Sequence, residues 1–251
     1  KGEMACGEVG YGKMASVQEI KKEIDYLLKP GILTGKRALV TSGPTIEQID
    51  PVRFISNNSS GKQGHAIADA LRRHGADTNL ISGPVNIKDP ENVKVTKVNS
   101  AEEMLHECRE SLPVNIAVFA AAVSDWRCSN TSNIKIKKTP ENDELNLNLE
   151  KNQDILKEIS TLNKNRPDLV IGFSLETDNL IETAKEKLKN KSCDWIVANG
   201  HYNGKESVFD SDMNSVKLVE NDNLEDWGYL TKNDVAEKLC IKISKFFNEA
   251  A

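Results

Sequence analysis

The chain has 251 residues, with 33 basic and 38 acidic side chains and a formal net charge of -5 at pH 7. That length allows one large core or two modest domains, and the mildly acidic balance lacks the basic footprint that would make nucleic acid the main partner. No signal peptide is visible, the longest apolar run (residues 116–123) is too short to span a bilayer, and Cys6, Cys108, Cys128, Cys193 and Cys240 show neither zinc nor disulfide spacing, so idle free thiols in a reducing cytoplasm are expected.

The first fifteen residues, KGEMACGEVGYGKMA, are glycine-rich and carry no periodicity. Ser16 with Glu19 has the capping-box pattern. A helix is therefore expected, with Ile20, Ile24, Leu27 and Leu28 as its apolar stripe and Lys29-Pro30-Gly31 as its end. Residues 1–31 read as an appendage and linker ahead of a main domain over 32–251. Because the first residue is Lys1 and not Met, a fragment of something longer is expected.

From residue 37 onward, apolar strand patterns alternate with amphipathic helix patterns. A strand over 37–41 leads through a long polar connection to a helix over about 60–74, with Ala66, Ile67, Ala70 and Leu71 on one face and Gly75 as its stop. Strands over 78–82 and 93–98 and a helix over 101–111 come next. Residues 116–122 are continuously apolar, as a central parallel strand covered on both faces must be. A helix (154–162), a strand (169–173), a helix (180–191), strands (195–198 and 215–219) and a closing helix (232–247) complete the pattern. Such alternation predicts an α/β fold with a Rossmann-like, doubly wound, mostly parallel sheet. The pattern lapses between Asp125 and Lys151, where alternating pieces at 133–138 and 144–150 read as a projecting flap or β-arm.

The connection after the first strand, TSGPTIEQIDPVRFISNNSSGKQG, takes about twenty residues where such loops usually take two to six. A long polar loop at the carboxyl end of a first parallel strand is where open α/β sheets bind ligands. It ends in Asn57-Asn58-Ser59-Ser60-Gly61-Lys62 at a helix start, where free N–H groups and the helix dipole favour anions; ordinary N-capping by Ser or Asn is the plainer alternative. It is not a P-loop, because Ser56 and Gln63 stand where that motif needs glycine and Ser/Thr. Nor does a GxGxxG fingerprint follow the first strand.

Three further clusters stand out. Ala120-Ala121-Ala122-Val123-Ser124-Asp125-Trp126 delivers small residues and then a carboxylate to the same sheet edge, which would suit a flat base as well as a buried strand ending in a turn. Lys135-Ile136-Lys137-Lys138 is either a solvated edge or a lysine cluster beside a polyanion. Lys187 and Lys191 lie four apart on one helix, where like charges repel slightly, so a shared anion would explain them, with solvated lysines as the plainer alternative. His65, His74, His106 and His201 lie apart, with no GxSxG or HExxH, so covalent and zinc chemistry are not indicated. A nicotinamide-dependent reductase would need a glycine-rich first turn or a YxxxK pair, and neither is present. A non-catalytic nucleotide-binding module is the remaining alternative.

Taken in order, GPTIEQIDPVRFISNNSSGKQG, AAVSDWR, KIKK, KNQDIL, GFSLET, the Lys187/Lys191 helix with DWIVAN, and FDSDMN resemble phosphopantothenoylcysteine synthetase (phosphopantothenate–cysteine ligase) of the CTP-dependent bacterial type, from about Gly35 to the C-terminus. MACGEVGYGKMA resembles the tail of the phosphopantothenoylcysteine decarboxylase commonly fused ahead of it, with Cys6 matching that enzyme's active-site cysteine. FMN would belong only to that missing decarboxylase domain.

The resemblance implies a cytoplasmic homodimer in coenzyme A biosynthesis. CTP, with Mg²⁺, would activate 4'-phosphopantothenate as an acyl-cytidylate, and L-cysteine would displace CMP. Asn57 matches the asparagine that holds the acyl-cytidylate, and Lys135 the flap lysine that closes on the phosphates. Ser59, Ser60 and Gly61 would grip phosphate, and Ala120 and Ala121 would read cytosine. Asp125, Lys151, Asn152, Gln153, Asp154, Phe173, Lys187 and Lys191 match further nucleotide contacts. The metal ligands are left unassigned. Gln153 stands where the family has proline, and Ser174-Leu175 replace paired small residues.

Overall fold

A computed structural model describes residues 31–137, 144–176, 179–200 and 212–249, with residues 2–3, 9–10, 14, 16–17 and 20–21 of the N-terminal stretch. Cys6, and Glu19, Ile24, Leu27 and Leu28 of the expected first helix, lie outside them, as do Lys138 and part of the FDSDMN block. In the N-terminal stretch, Gly2–Glu3 pairs antiparallel with Val9–Gly10, and Ile20 N donates to Ser16 O at 2.9 Å.

The strands are β1 Arg37–Ser42, β2 Ile46–Gln48, β3 Phe54–Ser56, β4 Asp77–Ser82, β5 Lys94–Lys97, β6 Ile116–Phe119, β7 Trp126–Cys128, β8 Leu149–Lys151, β9 Leu169–Glu176, β10 Trp195–Gly200, β11 Met213–Val219 and β12 Leu224–Thr231. The helices are α1 Lys62–Arg73, α2 Ala101–Glu110, α3 Ile155–Ser160, α4 Leu180–Lys191 and α5 Lys232–Glu249. The main sheet runs β12-β11-β10-β9-β6-β1-β4-β5. It is parallel from β10 to β5, and β11 and β12 add antiparallel at one edge.

Side chains alternate through the sheet because a strand's period is two. Ala38, Val40, Ile116, Val118, Leu169 and Ile171 face a core closed by α1 and α5, whereas Leu39, Ala117, Val170 and Ile196 face one closed by α2, α3 and α4. Burying each of the larger ones contributes roughly 1.5–3 kcal/mol. Cys108, Cys128, Cys193 and Cys240 are buried free thiols, as expected, and burial pushes the Cys193 thiol up to about 12.

The order of the six parallel strands places β1 beside β6, with the connections leaving these two in opposite directions. That reversal opens a crevice at their carboxyl ends. The polar connection and the alanine-rich segment both start there.

Several expectations are corrected. The polar connection is not one loop: it folds a short hairpin, β2 against β3, in register Ile46–Ser56 and Gln48–Phe54. α1 starts at Lys62, and its N-cap is Gly61 in the left-handed region (φ 72°) with no side-chain cap bond, so Ser or Asn capping is not what ends the loop. β6 stops at Phe119, and β12 was not anticipated because Glu225, Asp226 and Gly228 break its apolar pattern. The β-arm exists, but its ladder pairs β7 with β8, and residues 133–137 are not a strand.

The two Ser-Gly-Pro turns after β1 and β4 lie side by side, with Ser42 opposite Ser82 and Gly83 N donating to Ser42 O at 2.9 Å. A Cβ on Gly83 would sit 1.7 Å from the Pro44 carbonyl oxygen. Gly83→Ala is therefore expected to cost about 2 kcal/mol or more of stability, read as a lowered midpoint in thermal unfolding.

Candidate active site

The crevice is a cleft of about 860 Å³. Its first wall is the segment 57–64, its floor 119–126, and its far side 151–156, Phe173 to Leu175, Lys187 and Lys191. The floor and first wall are stitched together. Ala122 N donates to Gly43 O at 2.9 Å, Ser124 N to Thr45 Oγ1 at 2.9 Å and Ala121 N to Thr41 Oγ1 at 3.3 Å. Since Ala120 N also donates to Thr41 O at 3.2 Å, the N–H groups of all three alanines are occupied within the protein.

Asn57 reaches across the cleft mouth, its Nδ2 donating to Val123 O at 2.9 Å. A carbonyl accepts only, so this bond fixes which end of the amide is nitrogen and leaves a second N–H for a ligand. On the far side, Asn152 Nδ2 donates to Ser124 O at 2.8 Å and Asn152 N to Asp125 O at 2.9 Å. Asp154 caps α3 by accepting from Lys157 N at 3.1 Å and also pairs with Lys191. Lys187 pairs with Glu176 at 2.6 Å. The two lysines thus do not share a protein anion: each has its own carboxylate, and both still line the cleft. The Lys151 ammonium lies 5.9 Å from the ring centre of the half-exposed Trp126.

Asn57, Ser59, Ser60, Gly61, Ala120, Ala121, Asp125, Lys151, Asn152, Gln153, Asp154, Phe173, Lys187 and Lys191 all line this one cleft. Lys135 does not; it is exposed on the segment leading into the arm. Its neighbour is nevertheless anchored to the first wall. Asp50, almost fully buried, accepts from Val52 N and Arg53 N at 2.8 Å, from Arg53 Nη1 at 2.7 Å and from Ile136 N at 3.1 Å. Arg53 Nη2 also donates to Ile136 O at 3.2 Å. Burial alone would push the Asp50 carboxyl up, but those N–H groups and the guanidinium outweigh it and hold it below its ordinary value.

The reading of motifs missed Asn199, Asn214 and Lys232, which also line the cleft. The first two sit in blocks used only for resemblance, and Lys232 has no local pattern to flag it. Asn214 Nδ2 donates to Gln63 Oε1 at 3.0 Å, and Gln63 Nε2 to Lys232 O at 3.1 Å, which ties α1 to the start of α5. Beneath the Gly61 turn, His65 is buried. Its Nδ1 lies 2.9 Å from Ser42 Oγ and 3.1 Å from Gly61 O. Burial pushes the imidazolium down from its ordinary range, against the opposing pull of Gly61 O and Asp89. Among the described residues no group of three His, Cys, Asp or Glu could hold a metal ion, and no helix is long and apolar enough to cross a membrane.

Asp50→Ala is expected to loosen the first wall and the arm's base together, seen as new protease cleavage in both 50–56 and 132–137. Because a lowered carboxylate pKa stabilises the fold above the unfolded-state value and loses that contribution as pH falls, acidification of the unaltered protein should reproduce the same paired cleavage. Cleavage confined to one segment would contradict the shared anchor.

The family described as the DNA/pantothenate metabolism flavoprotein C-terminal domain matches residues 33–247. "Coenzyme A biosynthesis bifunctional protein CoaBC" of Haemophilus influenzae is 42% identical over 219 residues, 86% of this chain and 54% of that protein. "Cysteine/Cysteine sulfinic acid decarboxylase" from an unknown prokaryotic organism is 39% identical over 250 residues, 96% of this chain and 68% of that protein. The crystal structure of the C-terminal domain of a CoaBC protein aligns with TM-score 0.72 and 33% identity, covering 87% of this chain and 99% of that one. The chain spans about half the length of the curated CoaBC relatives it matches.

Proposed function

The chain belongs to the DNA/pantothenate metabolism flavoprotein C-terminal domain family, and from that membership we propose that it is a phosphopantothenate–cysteine ligase that uses CTP. The observation that carries the reading is the pairing in one cleft of an orientation-fixed amide, Asn57, with the α1 N-terminus, where the N-cap is Gly61 in the left-handed region and its N–H donates to Ser59 Oγ at 3.3 Å. The CoaBC relatives add support through their role in coenzyme A biosynthesis.

In the first step the carboxylate of 4'-phosphopantothenate attacks the α-phosphorus of CTP; the new O–P bond gives an acyl-cytidylate, and pyrophosphate leaves with its electron pair. In the second, the amine of L-cysteine forms the amide bond, CMP leaves and one proton passes to water. Both steps need position and charge neutralisation more than acid–base groups, which suits a cleft rich in amides, lysines and backbone dipoles. Ser59, Ser60 and Gly61 would hold phosphate at the α1 N-terminus. The carbonyls of Ala120 and Ala121 would accept from the exocyclic amine of cytosine. The free N–H of Asn57 would donate to the acyl oxygen as charge develops.

Magnesium would arrive on the nucleotide, and Asp125, an exposed carboxylate on the cleft floor, is the protein contact that would fit a cation carried mainly by phosphates. It would neutralise phosphate charge. Lys135 would act only by moving inward with the arm. The exposed apolar side chains of the arm, Leu145, Leu147 and Leu149, fit a homodimer contact.

Asn57→Ala is expected to slow pyrophosphate release from CTP, phosphopantothenate and L-cysteine by about 10²–10³-fold. No CTP-dependent release by the unaltered protein would overturn the ligase reading. ATP serving where CTP does not would overturn only the nucleotide. Carbon dioxide evolved from cysteine without nucleotide would favour the activity named for the decarboxylase relative.

A further inference from the structure

His65 sits one turn into α1 and is 6% exposed, with Ser42 of β1 fully buried against it. Ser42 Oγ is 2.9 Å from both Gly61 O and His65 Nδ1. On the other side of the ring, Nε2 faces Asp89 Oδ1 at 3.5 Å, and Asp89 is itself paired with Lys97. A line of contacts therefore runs from the surface, Lys97 to Asp89 to His65 to Ser42, and ends at the carbonyl of Gly61. Asp89, in the loop between β4 and β5, and Lys97, the last residue of β5, are the charged groups that bear on the ring. Ser42 and Gly61 supply its neutral partners.

The hydroxyl of Ser42 has one proton and two acceptors within reach. When the ring is neutral, Asp89 favours the tautomer with hydrogen on Nε2, so Nδ1 is an acceptor and takes the Ser42 proton. The Gly61 carbonyl then keeps only the helical bond from His65 N, at 3.1 Å. When the ring is protonated, Nδ1–H is shared between Ser42 Oγ at 2.9 Å and Gly61 O at 3.1 Å, and the hydroxyl turns to Gly61 O as well. A carbonyl that accepts more strongly polarises the N–H of its own peptide, and here that N–H belongs to Lys62, the first residue of α1. The imidazolium also adds positive charge beneath a helix N-terminus.

We infer that His65 is a positioning residue of the anion grip, setting the hydrogen bonding of the Gly61 turn through Ser42 and coupling phosphate binding at the α1 N-terminus to protonation of the ring. This rests on the reading of that turn as the phosphate grip. By linkage, a bound polyphosphate favours the protonated ring, and the protonated ring favours the polyphosphate. Affinity contributed by His65 is present below the ring's midpoint in the complex and is lost as pH rises through it.

The test is calorimetric titration of CTP, and separately of inorganic pyrophosphate, into the full chain and its His65→Asn variant from pH 5.5 to 8.5. Asparagine keeps an amide within reach of Ser42 but does not ionise, and protonation of the phosphates themselves affects both proteins alike. The unaltered protein is expected to bind about fivefold more tightly than the variant at the acid end, with the two converging at the alkaline end. The ring resonances of His65 in the unaltered protein are expected to titrate at higher pH when CTP is present, which needs no variant to fold. An affinity ratio constant with pH, or a ring midpoint that CTP leaves in place, overturns the inference. If pyrophosphate shows the pH-dependent ratio and CTP binds neither protein, the inference stands and the nucleotide reading falls; if neither ligand binds, both fall.

Discussion

Everything in the cleft depends on the hydrogen bonds that hold the loop after β1 to the loop after β6. The two strands are neighbours whose connections leave in opposite directions, and their parallel pairing continues into the loops as a bridge between Pro44 and Ala122. Gly43, Thr45 and Thr41 make them meet by accepting from Ala122, Ser124 and Ala121. Thr45 is fully buried, where an unpaired hydroxyl would be costly, so the bond to Ser124 serves both satisfaction and placement. The same stitching lets Asn57 reach Val123. It also occupies the N–H groups of the three floor alanines.

Much of this was legible in the residues. The alternation of apolar strands and amphipathic helices gave the layer order, because a parallel sheet covered on both faces leaves a strong signature in segments such as 116–119. That the segment 41–64 would edge a crevice at the end of the first strand was also legible, from its length and composition. What could not be read was tertiary in origin. The hairpin of β2 and β3 is too short for any periodicity, and β12 hides its buried Trp227 among charged residues. The start of α1 was misplaced because Ser59 and Ser60 look like caps, whereas the turn is made by Gly61 in a conformation that other residues enter only with strain. The Ser42–His65 contact joins residues 23 apart, and no local pattern announces it.

The lysines show how a charge pattern can be right in place and incomplete in explanation. Lys187 and Lys191 do face the cleft, yet each is balanced by a carboxylate from another element, Glu176 or Asp154. An arriving anion would therefore meet ion pairs rather than bare cations, and would bind by rearranging partners already present.

Trp126 has a practical consequence. It is the one indole on the cleft wall, 45% exposed, while Trp195 and Trp227 are each only 5% exposed in the cores. A ligand that settles against the 124–126 edge would change the surroundings of a single emitter, leaving the other two as a steady background. The protein thus carries its own optical gauge of occupancy, and the cleft's filling could be followed by fluorescence without attaching a dye.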